Sequence, residues 1–131
     1  TRGDGDLASG NFVTPAVFAD VRNDMAIARN EIFGPVLCVV PFTDEEEAVR
    51  LANDTEYGLG ATVWTADSKR AFRLAKSIRA GTVGVNGYQL EIHAPFGGFG
   101  QSGLGREGGR ASIESYTELK TVLIPTTEEL M

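Results

Sequence analysis

Cysteine, histidine and tryptophan each occur only once in the 131 residues of this sequence. A single cysteine excludes an intrachain disulfide, and Cys38 with His93 cannot complete the four ligands of a tetrahedral zinc site, so we expect no metal site. One histidine also gives no basis for arguing a Ser-His-Asp arrangement. This cysteine usage favours a reducing, cytoplasmic location.

Positive charge and long apolar runs are also scarce. Twelve Lys and Arg residues stand against 18 Asp and Glu, which gives a formal net charge of -6. An acidic chain lacks the positive field that attracts nucleic acids and anionic membranes. No apolar run approaches the length of about 20 residues that a membrane span needs. We therefore expect neither nucleic acid nor a membrane as a partner.

The length suits one globular domain, because a chain of this size buries roughly two-thirds of the surface that it exposes when unfolded. The first ten residues, TRGDGDLASG, lack the basic and then apolar order of a signal peptide. They are polar and glycine-containing, as in the middle of a loop. We interpret this start as that of a fragment.

Apolar patterning predicts an α/β fold with a parallel βαβαβ unit. Residues 36–42 include five consecutive apolar residues, typical of a strand buried on both faces. Thr43 and Glu46 form a capping box that predicts a helix ending near residue 53. Residues 60–65 and 82–86 are the next two predicted strands. Between them Asp67 caps a helix whose apolar stripe is formed by Ala71, Leu74, Ala75 and Ile78.

This order predicts right-handed crossovers that place both helices on one face of the sheet. The second face of strand 36–42 then needs a cover from outside the chain. Trp64 and Phe72 are most simply core residues. After the third strand we predict a short helical stretch over 110–115 and an extended segment over 116–124.

Residues 97–109, GGFGQSGLGREGG, contain seven glycines and two overlapping matches to G-x-G-x-x-G. That pattern indicates phosphate binding only where it joins a strand directly to a helix, and here a loop with Pro95 intervenes. We therefore favour a loop that needs left-handed or crowded backbone over a phosphate-binding loop. Cys38 lies in the most apolar strand, which favours a core residue over a nucleophile.

Five segments share their order with one known family: EIFGPV at 31–36, NDTEYGLGATVWT at 53–65, AGTVGVN at 80–86, PFGGFGQSGLGREGG at 95–109 and YTELKTV at 116–122. In these the sequence resembles the C-terminal part of the NAD(P)-dependent aldehyde dehydrogenase superfamily. The resemblance implies that residues 1–115 are an incomplete part of the catalytic domain. It implies that residues 116–131 are an oligomerisation strand and tail.

The resemblance assigns four site residues. Glu31 would hydrogen-bond the hydroxyls of the nicotinamide ribose of NAD or NADP, and Phe33 would pack beside that ribose and the nicotinamide. Leu90 and Phe96 would form part of the wall of the aldehyde pocket. Asn86 and Arg106 match patterned positions that we assign to loop support.

Equally informative is what this resemblance leaves out. The catalytic Cys, general-base Glu, oxyanion-hole Asn and cofactor domain of the family lie upstream of EIFGPV, and Cys38 does not match the nucleophile. The isolated chain is therefore expected to be inactive and to need the remainder of a parent chain, an aldehyde substrate and self-assembly into a homo-oligomer. Asn30 and Gly100 also depart from the usual residues of the family.

Two other functions stay open on the sequence. The chain can be a non-catalytic assembly or binding module derived from the same family, or, less favoured, a small nucleotide-binding α/β domain that uses the glycine loop. The sequence does not name the aldehyde or distinguish NAD from NADP.

Overall fold

The computed structural model describes residues 5–124, and these form an α/β fold as predicted. The strands and α-helices in chain order are β1 Ala16–Phe18, α1 Ala26–Arg29, β2 Val36–Cys38, α2 Glu45–Asn53, β3 Gly60–Val63, α3 Ser68–Ser77 and β4 Thr82–Val85. Short 3-10 helices span Gly5–Leu7, Gly100–Ser102 and Arg110–Tyr116. The described residues divide into two compact units, one of residues 5–56 and 66–79 and one of residues 57–65 and 80–124.

In the first unit, β2 pairs with β1 in parallel, with Ala16 opposite Val36 and Phe18 opposite Cys38. Each of the two ladders in the described part of the chain has two parallel strands. The strand is also shorter than predicted and ends at Cys38. The partner is the short extended segment after Pro15.

The N-terminus of α2 has a capping box one residue later than predicted. The carboxylate of Asp44 accepts from the Glu47 N–H at 2.8 Å. In return, the Glu47 carboxylate accepts from the Thr43 N–H at 2.8 Å and from its hydroxyl at 2.7 Å. Asp44 and not Thr43 is therefore the N-cap, because the Asp44 side chain accepts from the helix N-terminus while the Thr43 hydroxyl donates to Glu47.

The α3 helix begins as predicted. Asp67 Oδ1 accepts from the backbone N–H groups of Lys69 at 2.9 Å and Arg70 at 3.2 Å. Glu45 at the start of α2 also binds two arginines of α3, with Arg70 Nε at 2.5 Å and Arg73 Nη2 at 2.6 Å. These ion pairs fix the two helices to each other within the first unit.

The second unit is built on a parallel β3–β4 ladder in which Gly60 lies opposite Thr82 and Val63 opposite Val85. Side-chain atoms at Gly81 would collide with the Gly97 carbonyl, and at Gly84 with the Gly87 carbonyl. Glycine just before β4 at residue 81 and within it at residue 84 thus permits a close approach of backbone to backbone.

Few apolar side chains are covered in the part of the chain that the structure describes. Val21, Val63 and Ala71 are its buried hydrophobic residues. Trp64 and Phe72, which we predicted to be core residues, are 74% and 64% exposed. That prediction is wrong for this chain, because residues 5–124 leave most of both side chains uncovered.

The C-terminal segment differs from its prediction. The predicted helical stretch is the 3-10 helix Arg110–Tyr116, so Tyr116 ends a helix and does not begin a strand. Residues 117–124 form no ladder with other described residues. The tail from residue 125 lies outside the described residues. No helix among residues 5–124 is long and apolar enough to cross a membrane.

Candidate functional site

The loop at residues 30–35 carries the first pair of candidate site residues. It connects the end of α1 at Arg29 with the start of β2 at Val36. Glu31 is exposed, and Phe33 is 94% exposed. Phe33 also has a φ of 52°, a left-handed conformation that a bulky residue adopts only at a cost. Such strain clusters at ligand-binding positions, which makes this loop a candidate site.

Hydrogen bonds hold both ends of this loop. Arg29 donates to the backbone carbonyl and the carboxylate of Asp54, each at 2.8 Å. The Asn23 side chain, followed by the Arg29 guanidinium, lowers the pKa of Asp54 below its ordinary value. At the other end, the Pro35 carbonyl accepts from the Ala16 N–H at 2.9 Å. The loop is thus fixed at its ends while Glu31 and Phe33 stay open to a ligand.

The chemistry of this pair suits a sugar joined to a planar ring. A carboxylate such as that of Glu31 can accept from two neighbouring hydroxyl groups in charge-assisted hydrogen bonds. The exposed ring of Phe33 offers a flat apolar face for stacking. Glu31 forms no hydrogen bond or ion pair with another residue of the described range, so its acceptors are available. The pair therefore offers hydrogen-bond acceptors and an apolar ring face on one exposed loop.

A pocket in the second unit brings Leu90 and Phe96 together. Its volume is about 250 Å3, and its walls are formed by Leu90, Glu91, Ile92, Ala94, Phe96, Glu107 and Gly108. Leu90 is 70% exposed and Phe96 is half-buried. The lining is mostly apolar, as in sites for small organic molecules.

The glycine-rich segment shapes this pocket by packing its backbone against the loop before it. Phe96 and Glu107 exchange backbone hydrogen bonds of 2.7 and 2.8 Å, and the Gly109 N–H donates to the Ile92 carbonyl at 3.1 Å. A Cβ atom on Gly109, at φ 55°, would lie 2.6 Å from the His93 carbonyl oxygen. Positive φ values also occur at Gly100, Gly103, Gly105 and Gly108. The prediction of a left-handed, crowded loop is confirmed.

Asn86 and Arg106 support the framework, as predicted. The Asn86 side chain accepts from the Thr65 N–H at 2.8 Å and donates to the Thr65 carbonyl at 2.9 Å, which joins the ends of β3 and β4. Arg106 donates to the carbonyls of Gly98 at 2.9 Å and Gly105 at 2.6 Å. Its guanidinium carbon also lies 5.1 Å from the centre of the Phe99 ring.

The remaining candidates of the sequence show no catalytic arrangement. Cys38 is half-buried in β2, with its Sγ 3.7 Å from the Ile27 carbonyl oxygen. His93 lies in an exposed loop. Among residues 5–124, no three His, Cys, Asp or Glu side chains are grouped so that they could hold a metal ion.

The four predicted site residues thus form two pairs, Glu31 with Phe33 in the first unit and Leu90 with Phe96 in the second. Sequence reasoning missed Glu91 and Glu107 as pocket residues. Glu91 could have been found from its position next to Leu90. Glu107 could not, because only the Phe96–Glu107 bridge brings it to the pocket.

An α/β framework with a mostly apolar pocket is typical of a protein that binds a small organic molecule. The model of the aldehyde dehydrogenase family matches residues 1–122, and this chain belongs to that family.

Two relatives illustrate the match in sequence. The chain is 53% identical over 115 residues to a geranial dehydrogenase from Castellaniella defragrans, covering 88% of this chain and 24% of that protein. It is also 53% identical over 118 residues to a betaine aldehyde dehydrogenase from Agrobacterium fabrum, covering 89% and 24%. The chain therefore spans about a quarter of the length of these relatives.

Solved structures of aldehyde dehydrogenases are similar to this chain as well. The Mycobacterium tuberculosis aldehyde dehydrogenase complexed with NAD+ superposes with a TM-score of 0.90 at 45% identity, over 96% of this chain and 26% of that one. A Pseudomonas syringae aldehyde dehydrogenase complexed with NAD+ and octanal gives 0.85 at 47% identity, over 90% and 24%.

Proposed function

We propose that this chain is the C-terminal portion of an NAD(P)-dependent aldehyde dehydrogenase that oxidises an aldehyde to a carboxylic acid. The observation that carries the proposal is the loop of Glu31 and Phe33, where a strained backbone exposes a ring beside an available carboxylate. The NAD+ in the two solved relatives supports the choice of cofactor. The complete enzyme would then consist of this chain joined to the remaining three-quarters of such a protein.

On the cofactor side, the chain binds the nicotinamide ribose of NAD(P)+ and orients the nicotinamide ring. Glu31 accepts hydrogen bonds from the ribose hydroxyls, and Phe33 packs beside the ribose and the nicotinamide. NAD(P)+ supplies the hydride acceptor. Because Arg29 and Asp54 fix the start of the loop, the carboxylate holds the ribose in one place and so limits the positions of the attached ring.

On the substrate side, Leu90 and Phe96 form part of the aldehyde pocket. Their apolar surfaces exclude water from the substrate tail. The nucleophile, the base and the oxyanion hole belong to the remainder of the parent chain. We also propose a cytoplasmic location and assembly through residues 116–131, the tail of which lies outside the described residues.

The central experiment changes Glu31 to Gln in the complete enzyme. A charge-assisted hydrogen bond contributes about 1.5–3 kcal/mol, so the rate of hydride transfer should fall roughly 10- to 150-fold. The Kd of NAD+ should rise less, because most contacts to the cofactor lie in the other domain. Single-turnover absorbance of NADH separates the two quantities.

Glu46→Gln is the matched control, because Glu46 is an exposed carboxylate at the start of α2. This control should keep the rate of the unchanged enzyme. If Glu31→Gln and Glu46→Gln have the same hydride-transfer rate, the assignment of Glu31 is wrong.

The alternative function is a non-catalytic assembly module of the same family, favoured by the extensive exposed apolar surface. Both proposals predict no aldehyde-dependent NAD(P)H production from the isolated chain, because covalent catalysis needs an activated nucleophile and a base. Intact mass of the native protein distinguishes them. A chain of roughly four times this length supports the enzyme, and a native chain of this length that co-purifies with a full-length subunit supports the module. Saturable activity of the isolated chain that is lost in Cys38→Ala would overturn both.

A further inference from the structure

We propose that Asn86 is a positioning residue of the aldehyde pocket, and that the discrimination between long-tailed and short aldehydes depends on it. Its side chain would act through the pocket loop, residues 87–95, which carries Leu90. The inference rests on the proposed function, since it takes the pocket of Leu90 and Phe96 as the site of the aldehyde. The observation that carries it is a left-handed turn at Asn86 whose side chain continues the β3–β4 ladder.

Asn86 ends the ladder with its backbone and continues it with its side chain. Its N–H donates to the Val63 carbonyl at 2.8 Å, directly after β4 ends at Val85. The main chain then turns at φ 53°, a conformation that asparagine adopts more readily than most residues. The side-chain amide binds both backbone groups of Thr65, accepting at 2.8 Å and donating at 2.9 Å. These two hydrogen bonds form an amide clamp that takes the place of a strand residue.

The turn leads the pocket loop back over the two strands. A Cβ atom on Gly84 would collide with the Gly87 carbonyl, and one on Gly60 would lie 2.8 Å from the Tyr88 hydroxyl. Gly87 therefore lies against β4, and the end of the Tyr88 side chain lies against the start of β3. Leu90 follows two residues later. The path of the loop to the pocket is thus set where the turn leaves the ladder.

The other end of the pocket loop is held by the glycine-rich segment. The Gly109 N–H donates to the Ile92 carbonyl at 3.1 Å, and Phe96 exchanges two backbone hydrogen bonds with Glu107. Leu90 lies before these contacts in sequence. Loss of the amide clamp therefore releases the end of the loop that carries Leu90, while Phe96 stays attached to the glycine-rich segment.

A displaced Leu90 should affect long substrates most. The gain from burying an apolar tail is proportional to the apolar area removed from water, so octanal depends on the pocket wall more than acetaldehyde does. The chemistry at the carbonyl group is common to both aldehydes and belongs to the remainder of the parent chain. The clamp should therefore change the ratio of the two rates and not the step that they share.

The test measures kcat/KM for octanal and for acetaldehyde in the complete enzyme. Asn86→Gly fits the positive φ without strain but lacks the amide clamp. We expect the ratio of octanal to acetaldehyde to fall on the order of tenfold, as the loss of two hydrogen bonds of ordinary strength implies. The KM of octanal should account for most of the fall, while kcat/KM for acetaldehyde changes less than about twofold and the Kd of NAD+ is unchanged. Asn86→Asp keeps the bond from the Thr65 N–H and gives the same comparison if Asn86→Gly does not fold.

Asn53 provides a matched control, because its side chain makes the same kind of clamp in the first unit. It donates to the Ser77 carbonyl at 2.8 Å and accepts from the Arg79 N–H at 2.7 Å. Asn53→Ala removes both bonds at a helical position. This control should lower the free energy of unfolding as Asn86→Gly does, but it should leave the ratio of the two aldehydes unchanged.

The outcomes separate positioning from general stability. A ratio that is unchanged in the folded variant of Asn86 overturns the proposal, and so does an equal loss for both aldehydes. A fall of the same size in Asn53→Ala also overturns it, because lower stability would then explain the effect. If the unchanged complete enzyme oxidises neither octanal nor acetaldehyde with NAD+ or NADP+, the proposed function itself has failed.

Discussion

Removing residues 117–131 should reduce self-association of the isolated chain without unfolding it. Many large apolar side chains of residues 5–124 are exposed, while Val21, Val63 and Ala71 are the buried hydrophobic residues of this range. The chain is therefore expected to associate through apolar side chains that would be covered in an assembly.

The segment around the proposed cut carries a concentrated part of that apolar surface. Exposure is 104% for Leu119, 67% for Val122, 89% for Leu123 and 72% for Ile124. Full burial of a large aliphatic side chain stabilises by about 1.5–3 kcal/mol, so these four could contribute at most roughly 6–12 kcal/mol to association. A micromolar Kd corresponds to about 8 kcal/mol, which is inside this range.

The cut should spare the fold, because residues 117–124 belong to no described ladder. Among residues 5–124, the hydrogen bonds lost are those of Thr117 to the Glu114 carbonyl at the end of a 3-10 helix. Sedimentation velocity at micromolar concentrations measures the mass, and far-UV circular dichroism measures the fold. We expect an assembly that contains fewer chains, with an unchanged circular dichroism spectrum.

A matched variant separates apolar contact from chain length. Leu119→Ser combined with Leu123→Ser keeps all 131 residues and should reproduce most of the fall in mass. An unchanged chain that sediments as a monomer, unfolds cooperatively and does not bind the dye ANS would refute this expectation, because such a chain closes its own core.

Two further predictions concern single residues. Hydrogen bonds from two arginines of α3, chiefly Arg73 and then Arg70, lower the pKa of Glu45 below its ordinary value of 4.5. The ion pairs therefore stabilise the fold fully above pH 4.5, and this stabilisation is lost as the pH falls through the lowered pKa. The free energy of unfolding, measured with urea, should therefore fall less for Glu45→Gln than for the unchanged chain between about pH 5 and pH 3. Gly109→Ala should destabilise the pocket loop by about 1–3 kcal/mol more than Gly105→Ala, since both positions have positive φ but only Gly109 has a close neighbour, the His93 carbonyl oxygen. Hydrogen exchange at residue 109 in the complete enzyme measures the difference, and equal exchange in both variants would contradict it.

Local signals predicted the elements well and the contacts between them poorly. The Asp67 cap and the apolar stripe after it define α3 within about ten residues of sequence, and the structure confirms them. The partner of β2 lies about 20 residues upstream beside Pro15, and no local pattern indicates that these two segments pair. The shift of the cap of α2 from Thr43 to Asp44 is a difference of hydrogen-bond strength between neighbours that both fit the motif.

Burial was predicted least well, because it depends on surfaces that this sequence does not contain. The patterns of Trp64 and Phe72 predict core residues, yet both are exposed in this chain. The aldehyde dehydrogenases that match are about four times as long. The exposure is consistent with apolar residues selected for packing in a larger protein.

The glycine-rich segment shows why spacing alone could not assign the site. Its two G-x-G-x-x-G matches share the spacing of a phosphate-binding loop, but spacing does not specify what the backbone approaches. In the structure, Gly108 and Gly109 lie against the carbonyls of Ala94 and His93, where a Cβ atom would be 2.8 and 2.6 Å from oxygen. The absence of side chains there lets the segment hold the loop that carries Leu90 and Glu91. The glycines thus shape the pocket wall, and their conformational freedom serves the substrate side of the proposed enzyme.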